Sequence, residues 1–202
     1  MLIELDCDGV LLDTGRMTYC SKYGEGMREK GLTFEHSHYF DFREFPPEIR
    51  QQIFASFHDT EVLEGMMWNR GVPVFLTMLS HRIKNTKHEV ILRTATPEES
   101  HLELKKELLY DMLANLGITN FKVHTLLSCD ASKDPHHSDI LVEDNAENLI
   151  KATAGCKILI DHSYNQEAEY PGLSSIEYKR VPNTEIGWNL AFQHINLALF
   201  KD

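Results

Sequence analysis

The fold of this protein is indicated first by LIELDCDGVLLD, the stretch at residues 2–13. Its apolar beginning is typical of a buried strand, which ends abruptly in Asp6, Asp8 and Gly9. Two carboxylates this close together are costly to bury unless a cation meets them there. A hard divalent metal with oxygen ligands, joined by a phosphate group, meets this requirement. The alternative interpretation is an ordinary strand that leaves the sheet through an Asp-Gly turn.

Length and composition limit the classes of protein to which the chain can belong. At 202 residues, of which 42% are hydrophobic, it suits one compact domain with a modest insertion. The net charge of −11 argues against a nucleic acid polymer as partner, although a local metal can still attract a small anionic substrate. The four cysteines are scattered without Cys-x-x-Cys spacing, which predicts reduced thiols. Because no apolar run has membrane-spanning length and no signal segment is evident, we expect a cytoplasmic protein without a membrane partner.

Strands and helices alternate along the chain after an early helical region. Helical spacing covers residues 14–32, about 47–57 and about 73–83. From residue 88 onward, strands are predicted at 88–93, 121–127, 139–142 and 157–160, and helices at 97–116, 146–154 and 185–200. This alternation predicts an α/β fold whose parallel sheet is covered by helices on both faces. Such a sheet binds ligands beyond the carboxyl ends of its strands, so the residues there are the candidates for a site.

Groups suited to phosphate chemistry follow the predicted strand at 88–93. Thr94 and Ala95 come directly after it, before the helix predicted to begin near Pro97. A hydroxyl and backbone N–H groups at a helix N-terminus can hold phosphate oxygens. The simpler interpretation is a threonine that ends a strand at the surface. We expect Thr94 and Ala95 to bind phosphate.

A second group of polar residues surrounds the predicted strand at 139–142. Lys133 precedes this strand, and an ammonium there can neutralise the charge that develops on a phosphate. Glu143 and Asp144 follow the strand as a second carboxylate pair. Each feature alone is weak, but their order along the chain and their placement at successive strand ends strengthen the prediction of a site.

This ordered set resembles the haloacid dehalogenase-like (HAD-like) superfamily of phosphotransferases, in which an aspartate is the nucleophile. Motif one of that superfamily, Asp-x-Asp-Gly-Val, is matched by residues 6–10. Motif two is matched by Thr94, motif three by Lys133 and the acidic motif four by Glu143-Asp144. The resemblance spans the whole chain.

Within the superfamily, the chain is most similar to the 5'(3')-deoxyribonucleotidases. These enzymes continue motif one as Asp-Gly-Val-Leu-x-Asp, which residues 8–13 match. They also place the motif-three lysine ten residues before the first acid of motif four, and Lys133 has this separation from Glu143. An apolar strand followed by Tyr164-Asn165 matches a further feature. The chain departs from the family pattern at Arg70-Gly71-Val72-Pro73, at the glutamate of motif four and at Asn183-Thr184.

The resemblance implies an architecture and a catalytic metal site. The core would be a Rossmannoid three-layer domain formed by residues 1–14 and 76–202, with a helical cap at 15–75 inserted after motif one. Mg²⁺ would be held by the Asp6 carboxylate, the Asp8 backbone carbonyl and Asp144. Glu143 would support these ligands without binding the ion directly.

The resemblance also implies a covalent mechanism. Asp6 would attack phosphorus and form an aspartyl-phosphate, while Asp8 would serve first as general acid and then as general base. Thr94, Ala95 and Lys133 would hold the phosphoryl group.

We therefore expect a Mg²⁺-dependent phosphatase that acts on a small phosphomonoester, with a deoxynucleoside monophosphate as the favoured substrate. The alternatives are a sugar-phosphate phosphatase or phosphomutase of the same superfamily and, from another class, a non-catalytic phosphate-binding module. A homodimer is compatible with the sequence, which does not determine the oligomeric state.

Two further sets of residues are interpreted from their composition. The pair Lys105-Lys106 is interpreted as part of a solvated helix face. Aromatic residues of the predicted cap are expected to form its own hydrophobic core, with stacking on a nucleobase as the alternative. They are Tyr39, Phe40, Phe42, Phe45, Phe57 and Trp68.

Overall fold

The opening stretch forms β1 (Leu2–Asp6), which lies in the interior of a parallel β-sheet. The other strands are β2 (Glu89–Thr96), β3 (Phe121–Leu127), β4 (Ile140–Glu143), β5 (Cys156–Asp161) and β6 (Lys179–Pro182). The computed structural model describes residues 1–39, 41–128, 137–166 and 170–200, and within these ranges the six strands have the order β3-β2-β1-β4-β5-β6. Every neighbouring pair is parallel, so the carboxyl ends of the strands share one edge.

β1 occupies an interior position because its residues can be buried on both faces of the sheet. Ile3 and Leu5 are fully buried in a hydrophobic cluster on one face. Because successive side chains of a strand alternate, Glu4 points to the other face. There its carboxylate lies 3.3 Å from the guanidinium of Arg93 in β2. An isolated charge at this position would be costly to bury, and the pairing offsets that cost.

Eight α-helices accompany the strands in the described part of the chain. They are α1 (Thr14–Cys20), α2 (Glu25–Lys30), α3 (Pro47–Ser56), α4 (Thr60–Glu64), α5 (Val72–Ile83), α6 (His101–Asn115), α7 (Ala146–Lys151) and α8 (Glu185–Leu199). The largest cluster of buried side chains joins the sheet to α5, α6 and α8. A second cluster packs α7 against Leu141 and Leu159 on the other face. The molecule is therefore an α/β protein with a Rossmann-like arrangement of helix, sheet and helix layers, which confirms the predicted fold class.

The segment from α1 to α3 contains a hydrophobic cluster of its own. Its buried members are Met27, Phe34, Phe42, Phe45, Ile49 and Ile53. The ring centroids of Phe34 and Phe42 are 4.5 Å apart. Of the aromatic residues predicted to form a cap core, Phe42 and Phe45 are in this cluster, whereas Trp68 packs against the larger cluster. Phe57 is partly exposed, and Phe40 lies outside the described residues.

The strands predicted from residue 88 onward are present, while several boundaries differ from the prediction. The helix predicted to begin near Pro97 begins at His101, and the one predicted to end at residue 154 ends at Lys151. The helical pattern at residues 14–32 is divided between α1 and α2 by a short 3-10 helix. The short strand β6, which pairs only with β5 in the described chain, was not predicted.

Two expectations from composition concern cysteines and membranes. Cys7, Cys20 and Cys156 are free thiols, and Cys129 lies outside the described residues. Among the helices that the structure describes, none combines the length and apolar character needed to cross a bilayer.

The substitution Leu92→Ala is expected to lower the free energy of unfolding by about 2–5 kcal/mol. Leu92 is fully buried in β2, so its truncation leaves a cavity between the sheet and the helices. Urea denaturation followed by circular dichroism measures the change. The matched control is Leu197→Ala on α8, whose side chain is 60% exposed and whose loss should cost within about 0.5 kcal/mol. Equal losses in the two variants would contradict the packing of this core.

Candidate active site

The chain turns back on itself directly after β1. The Leu12 backbone N–H donates to the Cys7 carbonyl at 2.7 Å, which closes a loop over residues 7–12. The Asn69 side chain holds this loop from outside, because its amide nitrogen donates to the Val10 carbonyl at 2.7 Å and to the Leu12 carbonyl at 3.2 Å. The loop therefore has a fixed shape, and Asp8 is presented at the carboxyl edge of the sheet.

Gly9 allows this loop to approach the end of β4 closely. Its φ of +80° belongs to the left-handed region, which residues other than glycine rarely adopt. A Cβ at this position would also clash with the carboxylate of Asp144. Glycine is therefore required both for the turn and for the contact between the loop and Asp144.

Three acidic residues meet where β1 and β4 end. Asp6, Glu143 and Asp144 each offer a carboxylate oxygen, and these oxygens lie within 4.8 Å of one another. Burial raises the pKa of Asp6 well above its usual value, and repulsion from Glu143 and Asp144 raises it further. Burial and the Asp144 charge raise the pKa of Glu143 to about 8. Burial raises that of Asp144 to about 6. The cluster thus resists ionisation by itself, and a hard divalent cation such as Mg²⁺ fits its all-oxygen donor set.

The second carboxylate pair is oriented by hydrogen bonds from neighbouring side chains. The Tyr164 hydroxyl donates to Asp144 Oδ2 at 2.6 Å, and the Asn165 amide donates to the Asp144 carbonyl at 2.8 Å. The Asn148 amide donates to Glu143 Oε1 at 2.5 Å, while the Asp144 backbone N–H donates to Glu143 Oε2 at 3.1 Å. Both oxygens of Glu143 therefore accept hydrogen bonds from the protein.

Asp8 lies beside the cluster with partners from β2 and α6. Its Oδ2 accepts a hydrogen bond from the Thr94 hydroxyl at 2.7 Å. The ammonium of Lys105 lies 2.7 Å from the same oxygen and 3.0 Å from the Ala95 carbonyl. Thr94 and Ala95 thus lie at the site, but they belong to β2 and do not follow it as predicted, because the strand continues to Thr96. The predicted helix N-terminus does not directly follow them, since α6 begins only at His101.

The prediction of a solvated Lys105 is wrong. Its side chain is 6% exposed, whereas that of the neighbouring Lys106 is 37% exposed. The spacing of the buried face of α6 gives the reason, because every fourth residue points to the sheet. These residues are His101, Lys105, Leu109 and Leu113. The same spacing in the sequence could have placed Lys105 on the inner face.

The other predicted cation, Lys133, lies outside the described residues. Of the residues predicted for catalysis and binding, the structure brings together Asp6, Asp8, Thr94 and Asp144. Lys105 and Tyr164 join them at the site.

A cavity of about 530 Å³ opens above these residues, between α1–α4 and the edge of the sheet. Asp8, Lys105, Asp144 and Tyr164 are among its polar walls. The wall formed by residues 14–63 carries apolar side chains and also the ionisable residues Asp41, His58 and Asp59. The apolar side chains are those of Met17, Phe34, Phe42, Phe54, Phe57, Val62 and Leu63. A ligand in this cavity would thus contact Asp8, Lys105 and Asp144 at one end, and elsewhere a wall of aromatic and aliphatic side chains interrupted by polar ones.

His162 connects the loop after β1 with the helical segment, by which we mean the part of the chain that contains α1 to α4. Its Nδ1 lies 3.0 Å from Glu35 Oε1, and its Nε2 lies 2.9 Å from the Gly9 carbonyl. Burial lowers the pKa of His162, but the charges and hydrogen bonds of its neighbours, above all Glu35, raise it by more. The ring also stacks on Tyr164 with 4.7 Å between centroids. His162 was not predicted as a site residue, because no motif or spacing in the sequence connects it with Glu35.

The chain was compared with known protein families and with curated proteins. No family model matches it, and no curated protein matches it. The chemistry of the site is therefore inferred from its own residues, namely buried carboxylates, a hydroxyl and an ammonium around one cavity.

The metal-free protein is expected to become less stable as the pH rises from 5 to 9, because the buried carboxylate cluster ionises in this range. The pKa of Glu143 is raised from 4.5 to about 8 in the folded state, and that of Asp144 from 3.8 to about 6. Stability from such groups is fully present below their unfolded pKa values and is lost as the pH rises through the folded ones. The loss should be on the order of a few kcal/mol. Thermal unfolding in EDTA across this pH range measures it.

The variant Glu143→Gln should flatten this fall, and the exposed Glu147→Gln on α7 is the matched control that should leave it unchanged. Saturating Mg²⁺ should raise the melting temperature more at pH 8.5 than at pH 5, because the ion binds the ionised cluster. The same pH dependence in Glu143→Gln and in the wild-type protein would contradict this assignment.

Proposed function

We propose that this protein is a Mg²⁺-dependent phosphatase of the haloacid dehalogenase-like superfamily. It hydrolyses a small phosphomonoester through an aspartyl-phosphate, and a deoxynucleoside monophosphate is its favoured substrate. The observation that carries the proposal is the convergence of Asp6, Asp8 and Asp144 at one edge of the sheet, with Thr94 bonded to Asp8. These residues come from β1, β2 and β4 and the segments after them, and they are the ones that the superfamily motifs select.

A divalent cation fits this edge of the sheet. The carboxylates of Asp6 and Asp144 would hold Mg²⁺ together with the Asp8 backbone carbonyl, and Glu143 would support them. The bound ion would neutralise the cluster and the negative charge of the phosphate, which otherwise repels a nucleophile.

The side chains then divide the reaction into two displacements. Asp6 attacks phosphorus, and the bond from phosphorus to the leaving oxygen breaks while Asp8 gives its proton to that oxygen. In the second displacement Asp8 takes a proton from water, whose oxygen attacks the aspartyl-phosphate and releases the Asp6 carboxylate and inorganic phosphate. Thr94, Ala95 and Lys133 hold the phosphoryl group during both steps.

The cavity favours a nucleoside over a sugar as the leaving group. A hexose or triose presents hydroxyls along its whole length, and each loses hydrogen bonds to water when an apolar wall covers it. A nucleobase instead offers two apolar faces that can stack on rings such as Phe54 and Phe57. A sugar-phosphate phosphatase or a phosphomutase fits this lining less well. In this proposal residues 15–75 are a cap that closes over the site and excludes water during the first displacement.

We also propose a compartment and a class of partner for the enzyme. Scattered cysteines support a cytoplasmic protein, and the net charge of −11 supports a small phosphorylated substrate rather than a nucleic acid polymer. Neither a membrane surface nor a particular oligomeric state is part of the proposal, and a homodimer is compatible with it.

The variant Asp6→Asn should lower kcat for p-nitrophenyl phosphate by at least about 1,000-fold, because an amide cannot form the acyl phosphate. It should keep the wild-type circular dichroism spectrum and bind Mg²⁺ weakly. EDTA should inactivate the wild-type protein, and Mg²⁺ should restore the activity. Asp13→Asn is the control, since Asp13 caps α1 outside the acidic cluster and its loss should leave kcat within about 3-fold. Full activity of Asp6→Asn would exclude the covalent mechanism. Absence of any phosphatase activity in the wild-type protein would favour the non-catalytic phosphate-binding module.

A screen of phosphomonoesters should favour deoxynucleoside monophosphates. The panel contains deoxy- and ribonucleoside 5'- and 3'-monophosphates beside hexose and triose phosphates, and kcat/KM is measured for each. We expect deoxynucleotides to exceed sugar phosphates by at least about 10-fold, because one buried apolar contact already discriminates by this amount. A preference for hexose or triose phosphates would instead support the sugar-phosphate alternative.

A further inference from the structure

We propose that Lys105 is the residue that positions Asp8 for proton transfer to the leaving group. This inference rests on the proposed function, and neither the superfamily motifs nor the sequence pattern selects Lys105. It is a positioning residue, because it acts on the reaction through Asp8.

The burial of Lys105 is the first observation that carries the inference. An ammonium that is 6% exposed needs strong partners, because burial removes the water that would otherwise solvate its charge. Its two described partners are both at the site: Asp8 Oδ2 at 2.7 Å and the Ala95 carbonyl at 3.0 Å. The carbonyl belongs to the stretch that follows Thr94 in β2, so the ammonium connects two of the chain segments that form the site.

The second observation is the pattern of hydrogen bonds to Asp8. The Thr94 hydroxyl and the Lys105 ammonium donate to the same oxygen, Oδ2. Within the described chain these are the hydrogen bonds made by the Asp8 carboxylate, so Oδ1 is the oxygen left for exchange with a substrate. The Asp8 side chain is 39% exposed and borders the cavity, so without these donors its carboxylate could turn about χ1 and χ2.

The consequence for the reaction depends on the leaving group. An alkoxide such as the 5'-oxygen of a nucleoside leaves only when it is protonated, so the first displacement needs Asp8 in the right place. A p-nitrophenolate leaves without a proton. A loss of Asp8 positioning therefore slows the cleavage of alkyl phosphates and spares the aryl ester in kcat/KM, which reports the first displacement.

The test compares kcat/KM for deoxythymidine 5'-monophosphate and p-nitrophenyl phosphate in Lys105→Met. The variant keeps the apolar stem of the side chain and removes the ammonium. We expect a loss of about 100-fold for the nucleotide, the lower end of what a general acid supplies, and less than about 5-fold for the aryl ester. Lys106→Met, the exposed neighbour on the same helix, should change neither value.

Two further variants separate positioning from a structural role. Lys105→Arg keeps a cation and should recover part of the nucleotide activity. Asp8→Asn should show the same selective loss, and the double variant Lys105→Met/Asp8→Asn should lose no more than Asp8→Asn alone, because both changes act on one proton transfer. If Lys105→Met lacks a cooperative melting transition, the ratio of the two losses is measured in Lys105→Gln.

Equal losses for both esters in a folded Lys105 variant would overturn the positioning role and leave the proposed function standing. Undiminished nucleotide activity would also overturn it. A wild-type protein that hydrolyses neither ester would refute the proposed function, and the role of Lys105 with it.

Discussion

The repulsion among Asp6, Glu143 and Asp144 constrains everything around the carboxyl edge of this sheet. Their carboxylate oxygens lie within 4.8 Å of one another at the ends of two adjacent strands, and burial removes the water that would screen them. Hydrogen bonds offset part of this cost, because Tyr164 donates to Asp144 and Asn148 donates to Glu143. The donors do not remove the cost, as the raised pKa values of all three acids indicate. A divalent cation bound by these oxygens would offset the repulsion.

The same edge is where the helical segment and the sheet are joined. His162 contacts Glu35 from the helical segment and the Gly9 carbonyl from the loop after β1, and it stacks on Tyr164. The cavity has one end lined by Asp8, Lys105 and Asp144, and a wall from the segment with α1 to α4 in which apolar side chains stand beside Asp41 and Asp59. A phosphate group and an apolar leaving group would be held by different parts of the molecule.

Much of the fold could be predicted because its signals are local. The run at residues 2–6 is apolar enough for a buried strand, and the later alternation of strands and helices indicates a parallel sheet. Parallel strands place their carboxyl ends at one edge, so residues 6, 8, 94 and 144 could be expected to meet although they are far apart in sequence. β6 was missed because a strand of four residues at the edge of the sheet carries little periodicity.

The sequence by itself determined the class of fold and the carboxylates that meet at its edge, since the hydrophobic pattern locates the strand ends and the carboxyl ends of parallel strands share one edge. Only the tertiary structure decided that the buried Lys105 contacts Asp8, and which histidine contacts both Glu35 and the loop after β1. The pairing of Lys105 with Asp8 and the pairing of Glu35 with His162 depend on packing between distant segments. Such contacts leave no spacing in the chain, because the partners are chosen by distance in space.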